Sequence, residues 1–293
     1  MELIVVLVGL SVGSIINMLA DSLPQNRRVM LPRCQGCTAP RPLPAWLGVG
    51  ALISKTWRCA YCDRAISWRA PLIELAMATG ALWLYLRNPD PFTLFIDGLV
   101  LIFFLLVVVI DIEHRLILHV VTGPAALIFS LIGFYKPDMG FQLTLFGGLF
   151  GFGLFLAFYL IGLVFARLIA RLRGKVLDEI ALGFGDVTLS GVLGLMLGFQ
   201  GTGSRIIVAL FIAVLAAGEF SFVYLLFMSI RRRYQPFLPI PYGPFLLMGA
   251  AIVYFGGRTV VESLFPSGPI YLLIVLIIYF SIRTGIEFIQ TNK

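Results

Sequence analysis

The sequence contains very little charge for its length. Only 13% of its 293 residues are Asp, Glu, Lys or Arg, whereas 59% are hydrophobic and the mean hydropathy is +0.97. A soluble globular domain carries about 25% charged residues. The shortage of charge therefore excludes a soluble protein and predicts one that crosses a membrane several times.

Three further absences narrow the class of membrane protein. The sequence shows neither an internal repeat nor a low-complexity linker. No glycine-rich cofactor fingerprint follows a strand-like segment, so a soluble nucleotide-binding fold is not expected. The first residues, MELIVVLVGL, lack the basic region and cleavage site of a secretory signal, so we expect this segment to be retained as an anchor.

Nine apolar segments approach the length of about 20 residues that a membrane-spanning helix needs. They predict an all-α polytopic bundle of eight or nine transmembrane helices, of which the sixth and eighth are short. The segments lie at 2–20, 70–87, 92–110, 116–135, 141–166, 186–200, 205–230, 243–257 and 269–283.

This pattern divides the chain into four parts. Residues 1–20 form the first transmembrane helix, and residues 21–69 form a polar, proline-rich loop that holds all four cysteines. Residues 70–257 form the transmembrane core, and residues 258–293 add a further helix and a tail.

The basic residues predict the orientation of the bundle. With the N-terminus outside, all but four of the 22 Lys and Arg residues fall on the inner side; the four are Arg87, Lys136, Arg205 and Arg258. Cytoplasmic loops carry such an excess. Orientation therefore accounts for the net charge of +7 without a nucleic-acid partner, and it places the cysteine loop in the cytoplasm.

The four cysteines form two Cys-x-x-Cys pairs, Cys34 with Cys37 and Cys59 with Cys62. Two such pairs are typical of a zinc ribbon, in which four thiolates hold one Zn²⁺. Cytoplasmic thiols stay reduced, so disulfides are not expected. The alternative is free or redox-active thiols. A closed set of four cysteines favours a structural zinc that folds a loop lacking its own core.

Two aspartates lie at the inner edges of apolar segments. Asp111 follows LVLIFFLLVVVI, and Asp186 ends the tetrapeptide GFGD before VTLSGVLGLMLG. A carboxylate costs about 3 kcal/mol or more at the centre of a membrane helix, so its presence indicates a function. Two aspartates that share one proton supply the acid and the base of an aspartyl protease.

Two other interpretations of these aspartates stay open. Asp186 could cap the helix that follows it. Capping does not explain Asp111, because a carboxylate at the C-terminal end of a helix opposes the helix dipole. The second alternative is a metal site formed by Asp111, Glu113, His114 and His119.

These motifs resemble those of the prepilin peptidases, also called type IV leader peptidases, which are polytopic aspartyl proteases with a Gly-x-Gly-Asp motif. The resemblance extends to about residue 256 and rests on six landmarks in order. They are Gly13-Ser14-Ile-Ile-Asn17, the paired cysteine loop, the stretch SWRAPLIEL at 67–75, Asp111-Ile-Glu-His, Gly183-Phe-Gly-Asp186 and Pro241-Tyr242-Gly243-Pro244-Phe245.

The resemblance implies cleavage of the basic leader of type IV prepilins or pseudopilins, just after a glycine, with Asp111 and Asp186 as the catalytic pair. It also implies methylation of the new N-terminal amine from S-adenosylmethionine. The expected location is the bacterial inner membrane, with lipid and prepilins as partners. The chain departs from the family pattern at Leu118, where Pro is usual, and at Thr188, where Lys is usual.

Four more residues are candidates for binding the substrate or the cofactor. Gly183 and Gly185 would let the backbone bend sharply and an extended substrate strand approach closely. Asn17 and Glu74 are polar residues in apolar helices, so they are candidates for holding the cofactor or the pilin N-terminus. Their alternative role is hydrogen bonding between helices.

A different class of function competes with the enzyme. The chain could be a membrane transporter or scaffold without enzymatic activity, with the zinc-binding loop as a docking site. Its acidic residues would then line a path for protons or ions.

Overall fold

The computed structural model confirms the all-α class. In the part of the chain that it describes, every regular element is a helix, and β-type pairing is limited to two isolated bridges in the cysteine loop. The chain divides into two compact units, Met1–Val121 and Thr122–Lys293. The division into four parts stays a prediction. The described residues are 1–26, 30–34, 36–54, 56–88, 90–135, 140–173, 182–200, 204–231 and 241–264.

The first unit is built on four helices: α1 (Glu2–Asn26), α2 (Gly48–Ile53), α3 (Arg69–Arg87) and α4 (Pro91–His114). Helix α4 has clear local signals at both ends. The Asp90 side chain accepts a hydrogen bond from the backbone N–H of Thr93 at 2.9 Å, and a proline occupies the first helical position. The helix ends where Arg115 adopts a left-handed conformation with φ 54°.

Helices α1 and α3 pack with their backbones unusually close. Gly9 and Gly13 of α1 form a Gly-x-x-x-Gly motif that faces α3. A Cβ atom at Gly9 would lie 2.6 Å from the Cα of Ala78, and one at Gly13 would lie 2.5 Å from the Cα of Glu74. Small residues of this kind let membrane helices approach closely. The close packing of α1 against α3 therefore favours glycine at position 13.

The core of the first unit lies between α1, α3 and α4. Its buried members are Ile16, Ala20, Met77, Leu106, Val109 and Ile110. Ile110 immediately precedes Asp111, so this core fixes the part of α4 that carries the aspartate.

The second unit contains most of α5 (His119–Tyr135), followed by α6 (Gly140–Arg173), α7 (Phe184–Leu197), α8 (Arg205–Ile230) and α9 (Gly243–Leu264). Its most extensive packing joins α6 to α7. A Cβ at Gly147 would collide with the carbonyl oxygen of Gly194. The Ser190 hydroxyl also donates a hydrogen bond to the carbonyl oxygen of Gly151 at 3.0 Å. Small residues therefore hold α7, which carries Asp186, against α6.

Four described helices are long and apolar enough to cross a membrane: Glu2–Gln25, Pro91–His114, Gly140–Val164 and Arg205–Leu225. Shorter apolar helices lie at His119–Phe134, Phe184–Leu197 and Gly243–Gly257. Helix α3 matches the predicted span at 70–87 in position, but it carries charges at both ends and at Glu74. The predicted ninth span, 269–283, lies outside the described residues.

The packing of α1 on α3 gives a test of the fold. Gly13→Ala should lower the thermal unfolding midpoint, because overpacking of this kind costs about 1–3 kcal/mol. Gly98→Ala in α4 is the control, since a Cβ there meets no described atom within 4 Å. It should raise the midpoint slightly, because alanine is favoured over glycine in helices by about 0.5–1 kcal/mol. Equal midpoints for the two variants would contradict this packing.

Candidate functional site

The two Cys-x-x-Cys pairs form two turns with the same hydrogen-bond pattern. In the first turn, the Cys34 N–H donates to the carbonyl of Ala39, and the Cys34 carbonyl accepts from the Thr38 N–H, each at 2.9 Å. The second turn repeats this pattern at Cys59, with Asp63 in the place of Thr38. Thr38 and Asp63 both adopt left-handed conformations, with φ of 58° and 56°. The loop therefore presents two equivalent knuckles.

The knuckles bring all four sulfur atoms together. The Sγ atoms lie within 4.8 Å of one another, with Cys34 and Cys62 at 3.5 Å and Cys37 and Cys59 at 3.6 Å. Four thiolates around a tetrahedral ion with metal–sulfur bonds of about 2.3 Å lie about 3.8 Å apart. The four cysteines can therefore hold a metal ion.

The backbone of the knuckles favours thiolates. Hydrogen bonds from the N–H groups of Gly36 and Cys37 lower the pKa of Cys34 to about 6. For Cys62, a backbone hydrogen bond from Arg64 acts to lower the pKa, but its cysteine neighbours, Cys34 first, raise it to about 12. A cation at the centre of the four sulfur atoms would favour the thiolate form of the cysteines.

Glu74 attaches the loop to the helices. Its side chain is fully buried, and its carboxylate accepts hydrogen bonds from the backbone N–H groups of Gly48 at 2.6 Å and Val49 at 2.9 Å. These N–H groups belong to the first turn of α2, where helices leave donors unpaired. The contacts give Glu74 a structural task, and its predicted role in holding the cofactor or substrate stays a prediction.

Arg69 ties three helices together at the same end of the unit. Its guanidinium pairs with Asp21 of α1 at 2.7 Å and with Glu113 in the last turn of α4. The arginine side chain is only 14% exposed, so removing its acidic partners would leave a largely buried positive charge uncompensated. Glu113 is two residues from Asp111, so the bridge also holds the end of α4 that carries the aspartate.

Asp111 is buried at the end of α4, with 4% of its surface exposed. Its backbone carbonyl accepts the N–H of Arg115 that terminates the helix. The alternative metal site with Glu113, His114 and His119 is wrong. Among the described residues, only the four cysteines bring at least three potential metal ligands together.

Asp186 lies in the first turn of α7 and is 9% exposed. Its Oδ2 accepts a hydrogen bond from the N–H of Gly183 at 3.2 Å, so the carboxylate does cap its own helix. A carboxylate has about four acceptor positions, and one capping bond leaves capacity for catalysis. Gly183 has φ −74° and ψ 148°, an extended conformation open to any residue, so the sharp bend expected to need this glycine is not observed.

Two neighbours of Asp186 help to explain the local sequence. Thr188, where the family pattern has lysine, donates its hydroxyl hydrogen to the carbonyl of Gly185 at 2.8 Å. Tyr242, from the late Pro-Tyr-Gly-Pro motif, lies close enough that burial and then the charge of Asp186 raise its pKa. Tyr242 also packs near Phe155, with ring centroids 6.1 Å apart. No role for this tyrosine follows from the sequence, because nothing in the spacing links it to position 186.

The predicted site residues are divided between the two units. Asp111, Asn17, Glu74 and the cysteines belong to the first, while Asp186 and its two glycines belong to the second. Within the first unit, Asn17 is buried and donates a hydrogen bond from Nδ2 to the carbonyl of Ala70 at 2.9 Å.

Two family models match consecutive parts of the chain, and both aspartates lie in the second part. Residues 7–88 match the family model described as the bacterial peptidase A24 N-terminal domain, and residues 98–222 match that of the type IV leader peptidase family. No solved structure matches the chain.

Three relatives of known name point to the same family. A prepilin leader peptidase/N-methyltransferase of Burkholderia pseudomallei is 30% identical over 244 residues, which cover 81% of this chain and 71% of that protein. Proteins of the same name from Aeromonas salmonicida and Pseudomonas aeruginosa are 28% and 26% identical, over 80% and 76% of this chain and 75% and 68% of their own lengths.

These findings confirm the resemblance seen in the motifs, and none of them supports the transporter or scaffold alternative. The relative at 30% identity is covered over more than two thirds of its own length. The chain belongs to the type IV leader peptidase family.

Proposed function

We propose that this protein is a membrane aspartyl endopeptidase that removes the basic leader from type IV prepilins or pseudopilins. The observation that carries the proposal is the pair of buried carboxylates, Asp111 and Asp186, which both lie in the region that matches the type IV leader peptidase model. A prepilin has an apolar helix behind its leader, so the helix can enter from the bilayer while the scissile bond stays at the inner surface. The enzyme relatives are named for this activity.

In this proposal Asp111 and Asp186 act as one acid–base pair. Peptide hydrolysis without a covalent intermediate needs a base that takes a proton from water and an acid that protonates the leaving amine. Two carboxylates that meet in a buried site cannot both be ionised, so they share one proton and titrate together. The N–H of Gly183 holds the Asp186 carboxylate in one orientation for this task.

Replacing either aspartate tests the mechanism. Asp111→Asn and Asp186→Asn should each lower prepilin cleavage by about 10⁴-fold or more, because residues that act as one unit lose their function together. The double variant should be no worse than either single variant. The matched control is Asp97→Asn, an acid that precedes Asp111 by 14 residues in the same helix, α4. It should cleave at the unmodified rate.

The assay is mass measurement of the product from a purified prepilin in detergent. Substantial cleavage by Asp186→Asn, or loss of activity in all three variants with their folds intact, would contradict the assignment of the pair.

We further infer that the four cysteines hold one structural Zn²⁺. Four thiolates with no open position are typical of structural zinc sites, and the ion would offset the charge repulsion that keeps a proton on Cys62. The loop has few buried apolar residues of its own, so metal binding would supply much of its folding free energy.

The zinc assignment predicts a specific loss of order. Cys34→Ser should remove bound zinc and make the loop sensitive to trypsin, because the ion joins both knuckles. Ser54→Ala, in the same loop but outside the quartet, should keep both metal and resistance. Metal content by atomic emission and the rate of limited proteolysis measure the two effects. A zinc-free loop that resists trypsin as well as the original would show that the ion has no structural role.

The proposal includes a second activity and a location. The relatives' names combine peptidase and N-methyltransferase activities, so we propose that this chain also methylates the new N-terminal amine, with S-adenosylmethionine as the methyl donor. The apolar helices and the excess of basic residues in the predicted inner loops support a bacterial inner-membrane protein whose cysteine loop and aspartates face the cytoplasm.

Labelling of one position before α3 and one position after it tests this orientation. A membrane-impermeant maleimide should label Asn88→Cys in intact spheroplasts, because this position follows the predicted outer end of the helix. Tyr61→Cys, exposed in the cysteine loop, should be labelled only after the membrane is permeabilised. Labelling of the unmodified protein under each condition measures the contribution of its four native cysteines, which is subtracted. The reverse labelling pattern would invert the topology.

A further inference from the structure

The cysteine loop is polar as a whole, but the segment between its two knuckles contains no charged residue from Pro42 to Ser54. This segment, PLPAWLGVGALIS, consists almost wholly of apolar residues and glycine. It forms one turn of 3₁₀ helix, Leu43–Trp46, followed by α2. A loop surrounded by water has no need of so apolar a segment, so the surroundings of these residues require an explanation.

The segment buries small residues and exposes large apolar ones. Ala45 and Ala51 belong to the small buried core under the loop. Leu43 and Ile53 are 71% and 79% exposed, and Leu52 is also exposed. An element that faces water normally has the opposite arrangement, with its large apolar side chains in the core. Large apolar side chains exposed together mark a site of interaction with a membrane or with another protein.

Hydrogen bonds attach the segment to α1 and α3. The Ser14 hydroxyl of α1 donates to the backbone carbonyl of Trp46 at 2.7 Å. The Glu74 carboxylate of α3 accepts from the N–H groups of Gly48 and Val49. The segment is therefore held beside the two helices at the level of Ser14 and Glu74.

The ion pairs of Arg69 give the depth of this level. They join Arg69 of α3 to Asp21 of α1 and Glu113 of α4, and such charges are far less costly at the membrane surface than in hydrocarbon. Ser14 precedes Asp21 by seven residues, and Glu74 follows Arg69 by five. At a rise of about 1.5 Å per residue, the segment lies roughly 7–10 Å from the charged layer, towards the middle of both helices.

The two helices also expose apolar side chains at this depth. Ile15 of α1 and Leu72 and Leu75 of α3 are exposed, and they flank Ser14 and Glu74 in the sequence. Water around this level would leave large apolar side chains of α1, α3 and the loop segment hydrated at once, which is unfavourable. Acyl chains on the open side of all three elements remove that cost.

We propose that residues 43–53 enter the inner leaflet of the bilayer as a re-entrant element, with lipid acyl chains covering Leu43, Leu52 and Ile53. The two knuckles lie at the membrane surface, so the four cysteines join the two limbs of this element at its base. A re-entrant backbone is tolerated only where protein satisfies its polar groups, and Glu74 does so for two N–H groups of α2. This inference rests on the proposed membrane orientation and not on the peptidase activity.

The central experiment compares two equally exposed positions of the same loop. Ile53 and Tyr61 are both 79% exposed, but only Ile53 belongs to the proposed element. Each is replaced in turn by p-benzoylphenylalanine in the full chain, which is irradiated in vesicles of phosphatidylethanolamine and phosphatidylglycerol. Mass spectrometry of the peptides should find acyl-chain adducts roughly tenfold or more abundant at position 53 than at position 61, because only position 53 lies below the head groups.

A second comparison measures the cost of a charge at the same two positions. Ile53→Asp should lower the thermal midpoint of the full chain in these vesicles by about 5 °C or more, because a carboxylate is costly in hydrocarbon. Tyr61→Asp is the matched control. It should leave the midpoint unchanged, because its side chain stays in water.

Two results would overturn the inference: acyl-chain adducts no more abundant at position 53 than at position 61, or an unchanged midpoint for Ile53→Asp. Cross-links from position 53 to a second copy of the chain or to another protein, in place of lipid, would also overturn it and assign the face to that protein. Prepilin cleavage by the original chain in the same vesicles tests the peptidase independently. Acyl-chain adducts without cleavage would leave this inference standing and remove the peptidase proposal.

Discussion

A buried charge must be paired, and this constraint organises the end of the first unit that carries the cysteine loop. Glu74 has no exposed surface, and the donors that satisfy it are the first N–H groups of α2. Arg69 is satisfied by Asp21 and by Glu113 at the end of α4. Both contacts join segments that are distant in the chain, so the cost of burying each charge is offset only when the helices and the loop are assembled together.

The same constraint separates structural residues from functional ones. Glu74 and Arg69 use their charges within the protein, whereas Asn17 has a buried acceptor that no described residue satisfies. Asp111 and Asp186 are buried acids at helix ends, and Asp186 also caps its own helix. Polar groups that are buried without a purely structural need are where a membrane protein performs chemistry. The peptidase proposal therefore rests on this physical argument.

The sequence predicted those features that depend on local pattern. Apolar runs predicted the helices, and the two Cys-x-x-Cys pairs predicted a quartet whose sulfur atoms do converge. It could not predict the partners of Glu74, which lie 25 and 26 residues away, because such contacts depend on packing. Nor did it give Gly13 a packing role, although the Gly-x-x-x-Gly spacing was visible. The late tyrosine at 242 was visible only as part of a motif, since its proximity to Asp186 arises from folding.

The central claim is that Asp111 and Asp186 meet as one catalytic pair. The most direct measurement is chemical cross-linking of Asp111→Cys with Asp186→Cys by a short bifunctional thiol reagent, with the joined peptides identified by mass spectrometry. The account predicts a 111–186 cross-link in the folded protein and none for Asp97→Cys with Asp186→Cys. Cysteines at 111 and 186 that each react with a single maleimide, yet never with each other, would contradict it.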